Sequence, residues 1–383
     1  MTQKRIPAIY MRGGTSKGVF FRADALPSDP KERDALLLRV VGSPDPYGKQ
    51  IDGMGGATSS TSKVVIVGKS SRDGCDVDYL FGAVSIEDAV IDWSGNCGNL
   101  TSAVGPFAIS EGLVDAPRDG TAAVRIWQAN ISKEIVALVP MVGGHVQEDG
   151  DFQLDGVAFP ATEIVLEFLQ PGGGAGGNIL PTGNAVDELE IPGVGRIQAT
   201  LLNAGNPTIF VHAQAVGLQG TELQEAVNSN PELLARCETI RAHCTVAMGL
   251  AASPEEATKL RPHTPKLAFV APPKDYTASS GKAVKGEELD VLIRILSMGK
   301  LHHAITGTGG VAVAVAAVLP GTLVQQLSGD VQGRQVRMGH PSGAVAVGAE
   351  TGLQDGEWAV KKAVMSRTAR RLMEGWVLVP ETL

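Results

Sequence analysis

The sequence predicts an α/β protein of two similar lobes, and three observations carry that reading. Its 383 residues exceed the ~100–200 usual for one domain, so two lobes of comparable size are expected. Short runs rich in β-branched and aromatic residues alternate with a few helices whose ends are marked by capping residues. Finally, segments 96–109 and 306–319 hold comparable places in the two halves, and each passes from small polar residues and glycines into a nearly unbroken apolar stretch. A helix apolar on all sides is buried within its own domain. The pair therefore predicts a pseudo-duplicated chain with two central helices whose N-termini face something polar.

The elements follow in order. Asp29 and Pro30 open a helix that Gly42 closes, which is the cap, Pro and Gly order that helix ends favour. Strands are expected at 63–67, 79–84, 124–128 and 135–139, and again at 196–202, 208–211, 266–270 and 357–364. Asn230 and Pro231 open a second helix with Leu233, Cys237, Ile240, Cys244 and Ala247 on one stripe, so both cysteines read as small buried apolar residues. Segment 171–184 (PGGGAGGNILPTGN) is the most linker-like stretch. It places the boundary between an N-terminal domain 1–187 and a C-terminal domain 188–383, whose last segment is free to pack back on the first.

Lysine and arginine total 33 against 41 acidic residues, a formal charge of −8, so the overall field disfavours nucleic acid and anionic membrane. An anionic ligand needs a locally positive pocket. No apolar run reaches the ~18 residues of a membrane span and the first ten residues do not resemble a signal peptide, so a cytoplasmic location is expected. Cys75, Cys97, Cys237 and Cys244 include no CxxC pair and read as free thiols.

Four glycine- and hydroxyl-rich stretches stand out, at 11–18, 52–63, 94–99 and 307–310. A P-loop does not fit, because Lys17 and Lys63 follow serine and neither precedes Ser or Thr. A dinucleotide fingerprint is also missing. What remains is carboxylate binding by backbone N–H groups at helix starts. Cys97 sits where such a helix begins, a position that favours thiolate, and Lys63 opens an apolar strand beside the glycine loops. His302 and His303 are adjacent and point apart, and no HExxH occurs, so no metal is assigned. His340, in GHPSG, reads as a turn residue.

The stretches MRGGTSKG, DGMGGATSSTSK, DWSGNCGN, GNPTIFV, SMGKLHHA, GHPSG and SRTARRLMEGWV together resemble the PrpF family of 2-methylaconitate cis-trans isomerases, over nearly the whole chain. The resemblance implies a diaminopimelate epimerase-like fold: two pseudo-symmetric domains, each a curved sheet around a central helix, with the active site in the cleft between them. Cys97-Gly98-Asn99 looks like the first cysteine element of such epimerases. The second reads Thr306-Gly307-Thr308-Gly309, so its cysteine is missing, and the resemblance assigns proton transfer to Lys63 with Cys97 auxiliary. Arg12, Gly13, Gly14, Thr15, Ser16, Ser62, Asn96, Gly98, Asn99, Lys300, His303, Gly307, Thr308, Gly309 and Ser342 are the expected substrate-binding positions. Proton transfer needs no cofactor. The expected substrate is an unsaturated tricarboxylate of propionate breakdown through the methylcitrate cycle. The alternatives are 4-oxalomesaconate or methylitaconate isomerisation, or a non-catalytic accessory role beside an iron-sulfur methylcitrate dehydratase, the expected functional partner. A homodimer or larger homo-oligomer is expected.

Overall fold

The same succession of hairpins around one buried helix occurs twice in the chain, as shown by a computed structural model that describes residues 3–173, 178–331, 333–354 and 357–380. One unit takes the chain up to Leu166 together with the part from Ser366 onward, and the other takes Glu167–Met365.

The first unit contains β1 (Gln3–Gly13), β2 (Ser16–Arg22), α1 (Pro30–Val41), β3 (Lys63–Lys69), β4 (Val77–Val84), β5 (Ile91–Asp92), α2 (Gly98–Ser110), β6 (Gly120–Gln128) and β7 (Lys133–Val142). The second contains β8 (Gly195–Ala204), β9 (Asn206–His212), α3 (Pro231–Ala247), β10 (Lys266–Ala271), β11 (Val291–Ser297), β12 (Lys300–Leu301), α4 (Gly307–Val318), β13 (Gln335–His340) and β14 (Gly343–Gln354). After β15 (Glu357–Arg367), strand β16 (Ala369–Pro380) returns to the first unit and pairs antiparallel with β1.

In the first unit β1–β2 is antiparallel, β2–β3 parallel, β3–β4 antiparallel, β4–β6 parallel and β6–β7 antiparallel. The second repeats this with β8–β9 antiparallel, β9–β10 parallel, β10–β11 antiparallel, β11–β13 parallel and β13–β14 antiparallel. The helices α1 and α3 occupy matching parallel crossovers, and α2 and α4 occupy the next pair. Register matches too. Lys63 lies opposite Ala83, and Ala83 opposite Asp92. In β10, Ala268 lies opposite Ile295, which brings Lys266 to Ser297, itself opposite Lys300.

The local causes are those the sequence announces. Residues 63–67 are buried in succession because both faces of β3 are covered, which a continuous Val/Ile run satisfies. All twelve residues of α4 are buried, as is α2 from Gly98 to Ala108, and the Phe107 ring packs tilted, at 5.5 Å, against Phe20 of β2. The first core packs Leu37 and Val41 of α1 against Val19, Phe21 and Val64, and the second packs Cys237, Ile240 and Cys244 against Ile209, Leu267 and Phe269. Burial pushes the Cys237 and Cys244 thiols up to about 12, which suits inert core cysteines. The stripe on α3 differs at its end: Ala247 is exposed, and Arg241 and Met248 take the buried places. A true 3.6-residue period drifts away from a strict seven-residue step.

The unit boundary also differs from the 187/188 division expected from composition. Gly172 bridges Ala204, Gly173 N donates to Asn203 O (2.9 Å) and Gly205 N donates to Pro171 O (2.9 Å). The described ends of the glycine-rich segment are thus fastened to the β8–β9 turn; residues 174–177 lie outside the described residues. Among the described residues no helix is long and apolar enough to cross a membrane.

Asp29 caps α1 by accepting from Lys31 N (3.0 Å) and Glu32 N (2.9 Å). Asp29→Ala is expected to lower unfolding stability by about 1 kcal/mol, read from the midpoint of urea denaturation against wild type.

Candidate active site

A helix that starts beside a strand leaves its first N–H groups without intrahelical partners, and side chains at the cap must satisfy them. Cys97 is the cap of α2, with extended backbone (φ −111°, ψ 92°) and its Sγ accepting from Leu100 N at 3.5 Å. Lys63, first residue of β3, is 6% exposed, and its Nζ donates to that same sulfur at 3.5 Å while lying 4.9 Å from the Phe81 ring centroid. The two groups are therefore a buried amine and thiol in contact at a helix N-terminus. Below them, Tyr79 Oη and Thr101 Oγ1 both donate to Cys97 O, at 3.3 and 3.0 Å. Burial, and next the neighbouring Cys97, hold the Tyr79 phenol well above its ordinary range.

The β1–β2 turn lies across this helix start. A Cβ on Gly13 would sit 2.7 Å from Asn99 O and 2.9 Å from Leu100 Cα, both backbone, so only glycine permits the approach. Gly14, at φ +50°, is similarly close to the Asn99 side chain. Asn99 donates through Nδ2 to Thr15 Oγ1 (2.9 Å) and accepts at Oδ1 from Arg367 Nε (3.0 Å). Arg12 ties the turn to the returning chain: its Nη1 donates to Gly14 O, Thr368 O and Thr368 Oγ1 at 3.1, 3.0 and 2.8 Å. Desolvation, and then the nearby Arg370 charge, lower Arg12 to about 10. Ser16 Oγ is buried with no hydrogen-bond partner among the described residues. Thr101 Oγ1 donates to Asn96 Oδ1 at 3.3 Å. Ser62 Oγ donates to Gln50 Oε1 at 2.7 Å and so holds the preceding loop.

Of the expected positions of the second unit, three lie on α4, two contact each other, and Lys300 stands apart from both groups. Gly307, Thr308 and Gly309 form its buried first turn, with Thr306 as cap accepting from Gly309 N at 3.1 Å. Ser342 Oγ donates to His303 O at 2.5 Å, and Ser342 N donates to His340 Nδ1 at 3.2 Å. His303 stacks on His302 at 4.7 Å, so the two rings lie side by side rather than pointing apart as their adjacency suggests, and burial lowers the His303 pKa. Lys300 is exposed. Lys266, not singled out beforehand, is the buried lysine of this sheet face, with Nζ 3.0 Å from His263 Nδ1 and 3.1 Å from Ser297 Oγ. Among the described residues no three His, Cys, Asp or Glu side chains converge as metal ligands would.

With the geometry in place, similarity decides the kinship: the sequence matches the PrpF protein family over residues 3–380. The chain belongs to the PrpF family. It is 60% identical over 388 residues to a 2-methyl-aconitate isomerase of Cupriavidus necator, covering 99% of this chain and 98% of that one. Among solved structures, Methylitaconate-delta-isomerase matches with a TM-score of 0.78 and 42% identity, covering 99% of this chain and 96% of that one. A hydroxyproline epimerase from Agrobacterium vitis matches with a TM-score of 0.58 at 11% identity, covering 99% and 94%, and shows the epimerase-like fold alone. The pseudo-duplicated architecture expected of a PrpF chain is thus present.

Three contacts at the PrpF site lay outside the sequence reading: Tyr79 and Phe81, two strand residues that face Lys63 and Cys97, and Arg367, which sits inside the quoted SRTARR stretch without an assigned role. Tyr79 also sets a pH dependence. Its phenol keeps its proton in the folded protein where the unfolded chain releases it near pH 10, so its contribution is present below pH 10 and is lost as pH rises further. Spectrophotometric titration at 295 nm is expected to show less than the full change for the four tyrosines until denaturation; a full change in native protein would contradict the buried phenol.

Proposed function

We propose that the protein is a cofactor-independent isomerase of 2-methylaconitate that works by proton transfer. The observation that carries this reading is the buried Lys63 Nζ against Cys97 Sγ at the start of α2. Carbon acids allylic to a carboxylate-bearing double bond need a base that is neutral when it acts and donors that meet the charge as it develops. Neutral Lys63 removes the allylic proton, the electron pair spreads into a dienolate, and the lysinium returns the proton after rotation about the former double bond. The N–H groups of the first turn of α2, with Thr15 and Asn99, are the preorganised donors for the enolate oxygens. Removing one such donor typically costs ~3–4 kcal/mol of barrier.

The 60% identity to a 2-methyl-aconitate isomerase, against 42% to the methylitaconate enzyme, supports the tricarboxylate as substrate. An iron-sulfur methylcitrate dehydratase would then supply it, since dehydration of a hydroxy-tricarboxylate yields this unsaturated class.

Lys63→Ala is expected to fold yet to lose exchange of substrate hydrogens with deuterated water, a drop of at least ~10²–10⁴-fold for a missing base. Wild-type exchange by that variant, followed by proton magnetic resonance, would remove lysine from the mechanism. Cys97→Ser is expected to keep partial turnover. If it folds normally with none, the thiol is an essential proton carrier, as in a two-cysteine epimerase.

A further inference from the structure

Two buried guanidinium groups of this protein lie beside an acid or an aromatic ring. Arg241 makes a two-pronged pair with Glu238 (2.7 and 2.6 Å) and two further bonds to carbonyls. Arg294 leaves its Nη2 without a partner among the described residues, but donates to three main-chain oxygens, of Glu222, Ile293 and Gly339, lies 5.1 Å from the Tyr276 ring centroid, and has the Glu222 carboxylate near enough to offset part of its burial. Arg367 departs from that pattern. It is 1% exposed, and its hydrogen bonds are one to Asn99 Oδ1 (3.0 Å) through Nε and one to Ser366 O (2.8 Å) through Nη1. Its Nη2 has no hydrogen-bond partner among the described residues. Burial alone lowers it to about 10, and no carboxylate among the described residues offsets that burial. Its neighbour Arg371 takes up Glu148 and Glu374.

A buried cation without a counter-charge is costly, and proteins keep one where an anion completes the site. The surroundings point the same way. Arg367 Nε meets the second residue of α2, a helix of 13 residues, where an anion is favoured. Its Cδ packs where a Cβ of Gly14 would come within 3.1 Å, so the glycine turn makes room for the guanidinium. The same β1–β2 turn holds Ser16, whose buried hydroxyl also has no partner among the described residues. Arg12 adds a third cationic side chain to the region, beside Arg370.

We propose that Arg367 is a substrate-binding residue, its guanidinium receiving one carboxylate of the unsaturated acid that Lys63 deprotonates. This rests on the isomerase reading. The free end of the guanidinium pairs with the carboxylate, while Nε keeps Asn99 turned so that its Nδ2 points to Thr15. Arg367 thereby selects for ligands bearing a carboxylate at that position, separately from the proton-transfer step.

The test compares wild type, Arg367→Gln and Arg367→Lys with 2-methylaconitate as substrate and cis-aconitate as a calorimetric probe. Arg367→Gln is expected to raise KM on the order of 100-fold while kcat at saturation stays within about threefold, and to weaken cis-aconitate binding to the same extent. Arg367→Lys, which keeps a charge but not the fork, should recover part of the loss. An unchanged KM in a folded Arg367→Gln protein, or a fall in kcat that tracks a lower melting temperature with KM unaltered, overturns the proposal in favour of a purely structural arginine. If Arg367→Gln does not fold, the lysine variant decides: a raised KM at wild-type melting temperature supports the contact, and an unchanged KM rejects it. If wild type does not turn over 2-methylaconitate, the isomerase reading fails by itself, and loss of cis-aconitate binding in the variants still reports on Arg367.

Discussion

The close approach of the β1–β2 turn to the first residues of α2 is the constraint on which the rest depends. Backbone meets backbone at Gly13, with no space for even a methyl group, and that contact fixes where the helix begins. Once its start is fixed, the cap residue falls over the first residue of β3, and a thiol and an amine separated by 34 residues share one buried spot. The helix is apolar on all sides and cannot turn or slide without exposing that surface. The positive end of its dipole, Arg12 and Arg367 then concentrate cationic character in a protein whose net charge is −8. This is how an acidic chain can receive a polyanionic ligand.

The internal repeat shows how one scaffold carries two different chemistries. Lys63 and Lys266 occupy the same place in their sheets, and Cys97 and Thr306 cap equivalent helices. In the first unit the residue opposite the lysine is Ala83, which offers no side-chain acceptor, and the amine turns to sulfur. In the second it is Ser297, and the amine is held by that hydroxyl and by His263. The residue across the strand pair, the helix cap and the added His263 therefore together separate a lysine poised against a thiol from one engaged in a polar cluster.

Much of this was legible in the sequence because the signals are local. The ends of α1 are written in Asp29, Pro30 and Gly42, and the buried strand at β3 in its valines. The apolar runs after Cys97 and Thr306 mark both central helices. The glycine-rich stretch at 171–184 misled on the boundary, since composition cannot distinguish a linker from a segment fastened by main-chain hydrogen bonds. Arg367 was illegible for a different reason. It lies 268 residues from Asn99, and only the pairing of β16 with β1 brings them together. Tyr79 and Phe81 read as ordinary strand residues because nothing in a strand's alternation reveals what stands opposite.

The return of the chain after residue 365 has a consequence for biogenesis. The second unit is one uninterrupted stretch, whereas the first lacks the edge strand beside β1, and with it Arg367 and Thr368, until residues 366–380 have been made. On the ribosome, where domains usually mature in the order of synthesis, this protein inverts the sequence: the half that begins first is completed last. Its unpaired β1 edge must wait through the translation of about 350 residues, from Gly13 to Ala369, an interval in which a chaperone's shelter would matter most.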